Sequence, residues 1–211
     1  MSGWKTEKQM HNVSEYFGEI DIYLFDQILK NQFTDQTVIL DAGCGGGRNL
    51  IYFLRSGNPV YAVDQNFDAV RYVKSLAEKI APHLPSENFQ QSNVEALPFD
   101  GEKFDLVISN AVLHFAASEN HFEQMVAEMW RVLKFGGMLF VRLASSIGIE
   151  DKIELIEGRR YNLPDGSERF LVNEEMLLHA TEKLGGMLSE PIKTTNVQNL
   201  RAMTTWLIRK I

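Results

Sequence analysis

The stretch VILDAGCGGGRN, residues 38–49, decides the fold. Val38, Ile39 and Leu40 favour a strand, Asp41 follows, and four of the next six residues are glycine. Glycine lets a backbone turn tightly and come close to a ligand. Arg48–Arg55 then reads as a helix that Gly57-Asn58-Pro59 ends. A strand, a bare loop and a helix in that order are one βα step of an open sheet. In such sheets ligands bind outside the carboxyl ends of the strands, where the strand order reverses. The loop Asp41–Gly47 is therefore expected in a ligand crevice, with a carboxylate at its root.

The rest of the chain repeats the step. Strands are expected at Thr37–Leu40, Val60–Val63, Phe89–Val94, Asp105–Ser109 and Met138–Ala144. Helices are expected at 14–30, Phe67–Ile80, Phe122–Leu133 and Glu174–Leu184, from apolar residues at helical spacing. The crossovers are long enough for parallel strands, and the strands read as continuous apolar runs, as they do when both faces are covered. Ser145–Leu171 breaks the rhythm with a polar, Gly- and Pro-punctuated run, an excursion over the sheet's C-terminal edge. Ser189–Lys193 and Thr204–Ile211 close the chain as strands. The predicted class is α/β, a doubly wound, mostly parallel seven-stranded sheet with an antiparallel last strand. One domain is expected over 1–211, with a helical segment at 1–36 as a lid, a cofactor-binding core at 37–144, a substrate-side excursion at 145–171, and a C-terminal helix and strands at 172–211.

The bulk properties narrow the function classes. A chain of 211 residues, 45% hydrophobic, fills the core of one domain. Its net charge of −7 disfavours a phosphate backbone as partner. No run approaches the roughly 18 apolar residues of a membrane span, and Met1–Gln9 lacks the apolar core of a signal peptide. The single Cys44 excludes an internal disulfide and a cysteine metal cluster, so no metal is expected. These features lead to the expectation of a cytoplasmic protein without membrane contact; monomer and homodimer both stay open.

Two ligand types suit a glycine loop. A dinucleotide pyrophosphate wants G-x-G-x-x-G, but here the third glycine position falls on Arg48. A carboxylate beside a pyrophosphate is unfavourable, whereas beside an ammonium or sulfonium it is useful. At this point a set of motifs resembles the class I S-adenosylmethionine-dependent methyltransferases: the loop 41–49, AVD ending at Asp64, SNVEALPFD at 92–100, FDLVISNAVLHF at 104–115 and RVLKFGGMLFV at 131–141, with Phe135 where the family usually has proline. The loop and the DQN at 64–66 are similar to the tellurite-resistance branch. The resemblance implies a Rossmann-like methyltransferase fold, S-adenosylmethionine as cofactor, and in-line methyl transfer to a small-molecule acceptor. A binding protein without transfer activity, and an NAD(P)-dependent oxidoreductase, are the alternatives.

The resemblance assigns cofactor contacts to Asp41, Gly43, Cys44, Gly45, Asn49, Asp64, Gln65, Asn66, Asn93, Val94 and Asn110. Asp41 either serves the cofactor's ammonium or caps the loop. Cys44 packs as a small apolar residue rather than acting as a nucleophile. Asp64 stands where the family's acid accepts both ribose hydroxyls. Gln65 and Asn66 flank the adenine, or Asn66 caps the next helix. Asn93 replaces the usual aspartate facing the adenine amino group, Val94 offers its backbone N–H, and Asn110 faces the methionine end. The catalytic residue is unknown; His114 is a candidate base or a structural histidine. Arg142, a charge inside a central strand, needs a partner or binds an anionic substrate group. Tyr16 and Phe17 belong to a lid or to ordinary packing; Trp130 packs; Arg159-Arg160-Tyr161 reads as a solvated loop.

Overall fold

A computed structural model describes residues 13–211; the part of the N-terminal segment before Val13 lies outside the described residues. The expected helix 14–30 is two helices, α1 (Val13–Phe17) and α2 (Ile22–Leu29). Gly18, at φ +64°, ends the first, and the Asp21 carboxylate caps the second by accepting from the Tyr23 N–H at 2.9 Å. Both breakers stand inside the apolar periodicity that suggested one helix.

The main sheet runs through β1 (Ile39–Ala42), β2 (Val60–Asp64), β3 (Phe89–Gln91), β4 (Phe104–Asn110) and β5 (Leu133–Ser145). Helices α3 (Ile51–Arg55), α4 (Phe67–Ile80) and α5 (Glu119–Val132) connect strands on its two faces. At the sheet's edge, β1 to β5 stand in the order β3-β2-β1-β4-β5, all parallel. Ile39 sits between Val60 on one side and Leu106 on the other, and all three are fully buried. Layers of side chains cover both faces. Phe122, Met125 and Met129 of α5 lie in one core; Leu24, Phe53, Val73 and Ala77 of α2, α3 and α4 lie in the other. Burial on both faces is why these strands lack polar alternation.

The excursion is more ordered than its composition suggests. Strands β6 (Glu154–Glu157), β7 (Arg160–Asn162) and β8 (Glu168–Phe170) form a small antiparallel sheet. Leu163, Phe170 and Leu171 anchor it, and the Phe170 ring stacks on Phe122 with centroids 5.4 Å apart. Three apolar residues within a polar run are enough to hold it down.

After α6 (Glu174–Lys183) come β9 (Gly186–Leu188), β10 (Lys193–Val197) and β11 (Arg201–Lys210). β11 lies antiparallel against β5, and β9 and β10 share its other edge end to end. The sheet thus has eight strands in seven positions. The strand expected at Ser189–Lys193 falls in the gap between β9 and β10 except for Lys193, which begins β10; in the gap Pro191 has no N–H to donate to the ladder. Phe135, the departure from proline, is 74% exposed, so no packing depends on it. Trp130 packs against Gly186, as expected. No described helix is long and apolar enough to cross a membrane.

Candidate functional site

A cavity of about 790 Å³ opens at the carboxyl ends of β1, β2 and β4. The sheet order reverses there, because the chain passes from β1 to β2 on one side and reaches β4 on the other. Gly43, Cys44, Gly45, Asn49, Asp64, Gln65, Asn93, Val94 and Asn110 all line it. The fold has thus gathered residues from the ends of four strands, β1 to β4, onto one surface.

The glycine loop is shaped by close packing on one side and left open on the other. Gly43 has φ +84°, and a Cβ there would lie 2.4 Å from Val112 Cγ2. At Gly45 and Gly46 a Cβ would meet nothing within 4 Å, so the bare backbone faces the cavity. Gly43→Ala should therefore destabilise the protein by about 2 kcal/mol or more, through overpacking and a disfavoured backbone. Gly46→Ala should change stability by no more than about 0.5 kcal/mol. Urea unfolding of the two variants checks this, and equal losses would contradict it.

Asp64 organises the loop. Its Oδ2 accepts the Gly45 N–H at 2.8 Å and its Oδ1 accepts the Asn66 N–H at 2.9 Å. Both oxygens keep a lone pair for a further donor. Asn66 does not line the cavity; it caps α4 by accepting from the Asp68 N–H at 2.8 Å. Of its two sequence readings, the structure supports the cap. Asp41 is 1% exposed, and neither carboxylate oxygen has a hydrogen-bond partner. It does not cap the loop. Burial pushes its carboxyl up to about 7, against the pull of Arg48 and with a further push from Asp64. Burial, then these two carboxylates, also push the Cys44 thiol well up, which makes it an inert packing group. Asn49 turns partly inward: its side-chain oxygen accepts the Asp21 N–H at 3.1 Å.

A second cavity of about 450 Å³ lies alongside, beneath β7–β8, and shares Arg48, Asn110, Ala111 and Phe115 with the first. The Asn110 side-chain oxygen accepts from Arg48 at 2.9 Å while its buried Nδ2 has no partner. Ala111, between the cavities, takes φ +62°, an uncommon conformation of the kind found where sites impose strain. His114 and Arg142 both line this second space. His114 Nδ1 accepts the Ala144 N–H at 3.3 Å. Burial, helped by Arg169, lowers its pKa to about 4, so the ring is neutral near pH 7 with its proton on Nε2. Arg142 Nη1 donates to Asp21 at 2.5 Å, so its charge already has a partner.

Sequence reasoning missed Asp21, which lies 121 residues before the arginine it binds. It also missed Arg169 and Arg201, which enter the second cavity from β8 and β11. Arg159 and Arg160 instead pair with Glu119 and Glu168. Phe17 stacks on Tyr52 at 5.2 Å, so it packs against α3, while Glu19 of the same segment lines the first cavity.

A mostly parallel sheet of this order with helices on both faces is a Rossmann-like α/β fold. Residues 40–141 match the family model described as a methyltransferase domain. Over that stretch, just under half of its length, the chain is similar to methyltransferase domains. It is 35% identical over 107 residues to a ubiquinone biosynthesis O-methyltransferase of Bartonella tribocorum, a match covering 51% of this chain and 41% of that one. It is 30% identical over 101 residues to the malonyl-[acyl-carrier protein] O-methyltransferase of Salmonella typhimurium, covering 48% and 36%. The chain thus spans less than half the length of these two curated relatives. The structure of the Burkholderia thailandensis 1,6-didemethyltoxoflavin-N1-methyltransferase, with 1,6-didemethyltoxoflavin and S-adenosylhomocysteine bound, superposes with a TM-score of 0.67 at 20% identity, covering 90% of this chain and 77% of that one. The comparisons do not single out the tellurite-resistance branch.

Proposed function

We propose that this chain transfers a methyl group from S-adenosylmethionine to a small-molecule acceptor. The observation that carries the reading is the unpartnered, buried Asp41 carboxylate beneath an open glycine backbone. A buried negative charge with no partner is costly unless a cation completes it. It suits a ligand with an ammonium and a sulfonium, and it opposes a pyrophosphate. The helix after the loop adds to this: α3 begins only at Ile51, so the glycines do not form the anion-binding first turn of a helix.

The residues present fit that cofactor. Asp64 has acceptor capacity for two ribose hydroxyls. Gln65, Asn93 and Val94 would border the adenine, and Asn110, with its unpartnered Nδ2, the methionine end. Asp41 does not line the cavity, so it would act on the cationic end through its field. When bound there, S-adenosylmethionine would supply a methyl on a positive sulfur, to be taken by an acceptor lone pair with the C–S electron pair left on sulfur. The protein's part is alignment of that acceptor and exclusion of water. With Nδ1 occupied and the proton on Nε2, His114 offers an acceptor a hydrogen-bond donor, not a base.

The second cavity's size supports a small acceptor, as does the 1,6-didemethyltoxoflavin bound together with S-adenosylhomocysteine in the Burkholderia thailandensis enzyme. Calorimetry with S-adenosylhomocysteine and with NADH tests the cofactor. Binding of the first and not the second is expected, and the reverse would overturn the reading. Release of S-adenosylhomocysteine in a screen of thiols, phenols, amines, carboxylates, tellurite and selenite tests transfer. Cofactor binding with no release for any acceptor would favour a binding protein without transfer activity.

A further inference from the structure

The second cavity is basic in a chain whose net charge is −7. Arg48, Arg142, Arg169 and Arg201 line it, against one lining carboxylate, Asp165. A second carboxylate, the fully buried Asp21, lies behind it and is committed to Arg142, with Arg48 3.9 Å away. Asp165 stands 3.8 Å from Arg201. The neighbouring His114 is neutral near pH 7 and adds no charge. Four guanidiniums therefore face two carboxylates. Among the described residues Arg169 is in no ion pair, although Asp165 feels its charge as well as that of Arg201: Nη1 donates to the Glu168 carbonyl at 2.6 Å, and the guanidinium lies over the Phe115 ring, 4.9 Å from its centroid. Phe115 borders both cavities, so this fixed cation stands next to the junction where transfer would occur. Leu163 and Met203 add apolar wall between the charges.

We propose that the methyl acceptor is a small organic anion whose carboxylate or phosphate group is bound by Arg169 and Arg201 in this second cavity. The proposal rests on the reading of the first cavity as the methyl-donor site. Guanidiniums match planar oxyanions with paired hydrogen bonds, and clefts lined by one sign of charge concentrate ligands of the other. The apolar walls suit an aryl or alkyl body between the anionic group and the methylated atom.

The test is calorimetric titration of the protein loaded with S-adenosylhomocysteine. The probes are benzoate, 4-hydroxybenzoate, hexanoate and phenyl phosphate, with benzamide, 4-hydroxybenzamide and hexanamide as uncharged counterparts. At least one anion should bind roughly tenfold more tightly than its counterpart, less so as salt is raised. Whether a carboxylate or phenyl phosphate binds best identifies the anionic group. The double variant Arg169→Gln/Arg201→Gln should lose that preference while its affinity for S-adenosylhomocysteine stays the same, which also shows that it folds. Arg169→Lys should restore only part of it, because lysine lacks the planar fork. Anions and amides binding alike, or an anion affinity that ignores the double variant, would overturn the proposal. Failure to bind S-adenosylhomocysteine at all would instead overturn the donor-site reading and, with it, this proposal.

Discussion

Above about pH 7, ligand-free protein carrying Asp41→Asn is expected to be more stable than the wild type, by about 2 kcal/mol. The sign follows from where the proton is held. An unfolded Asp41 titrates near 3.8, and the folded one near 7 because burial disfavours its charge. Below the lower value both states are protonated and nothing is lost. As pH rises through the window, the unfolded chain releases its proton first, so folding stability falls by about 1.4 kcal/mol per pH unit until the folded group also ionises. Up to about 4 kcal/mol is withdrawn in this way. Asparagine has no such window, but its unpartnered amide costs about 1–3 kcal/mol at every pH. The variant should therefore be no more stable than the wild type near pH 4.5 and clearly more stable at pH 8. Urea unfolding of both proteins at the two pH values decides it, and parallel profiles would remove the argument. The function runs the other way. A cationic ligand favours ionised Asp41, so wild-type affinity for S-adenosylmethionine should rise with pH across this window, while the variant binds more weakly and without that rise.

The parts of this site legible in the sequence are those that depend on one local segment. The Val38–Leu40 run, the glycines behind Asp41 and the strand ending in Asp64 are each short enough to be read directly, and the fold places their loops together because parallel strands end on one side. Asp21 could not be found this way. It looks like an ordinary helix cap, and only the packing of α2 against the sheet carries it to Arg142. The same holds for Arg169 and Arg201. Neither stands out in the sequence, and only the fold of the small antiparallel sheet carries Arg169 over the cavity that Arg201 enters from β11. The break between α1 and α2 was legible: Gly18 and Asp21 are a stop and a start signal that the apolar periodicity overrode. Asn66 shows a residue for which the sequence left two readings equal, and the 2.8 Å bond it accepts from the Asp68 N–H shows the cap.

Asp64→Ala should weaken binding of S-adenosylhomocysteine by about 1.5–3 kcal/mol, or roughly 10- to 150-fold in Kd. Two losses combine. The variant has no acceptor for the ribose hydroxyls, and the Gly45 and Asn66 N–H groups lose the carboxylate that holds the loop in place. Asp64→Asn separates them, since its one remaining oxygen still accepts but carries no charge; it should fall between the wild type and the alanine variant. Calorimetry on the three proteins gives the ranking, and an unchanged affinity for the alanine variant would remove the ribose assignment. The effect should also reach the neighbouring strand. Asp64 is one of the charges that push Asp41 up, so removing it should lower the pH at which Asp41 ionises. The Asp41→Asn and Asp64→Ala changes should then fail to add in stability at pH 8, because part of what the first relieves has been relieved by the second. Strict additivity would mean that the two carboxylates do not share one field, and that the glycine loop between them is not the cradle for a single cationic ligand.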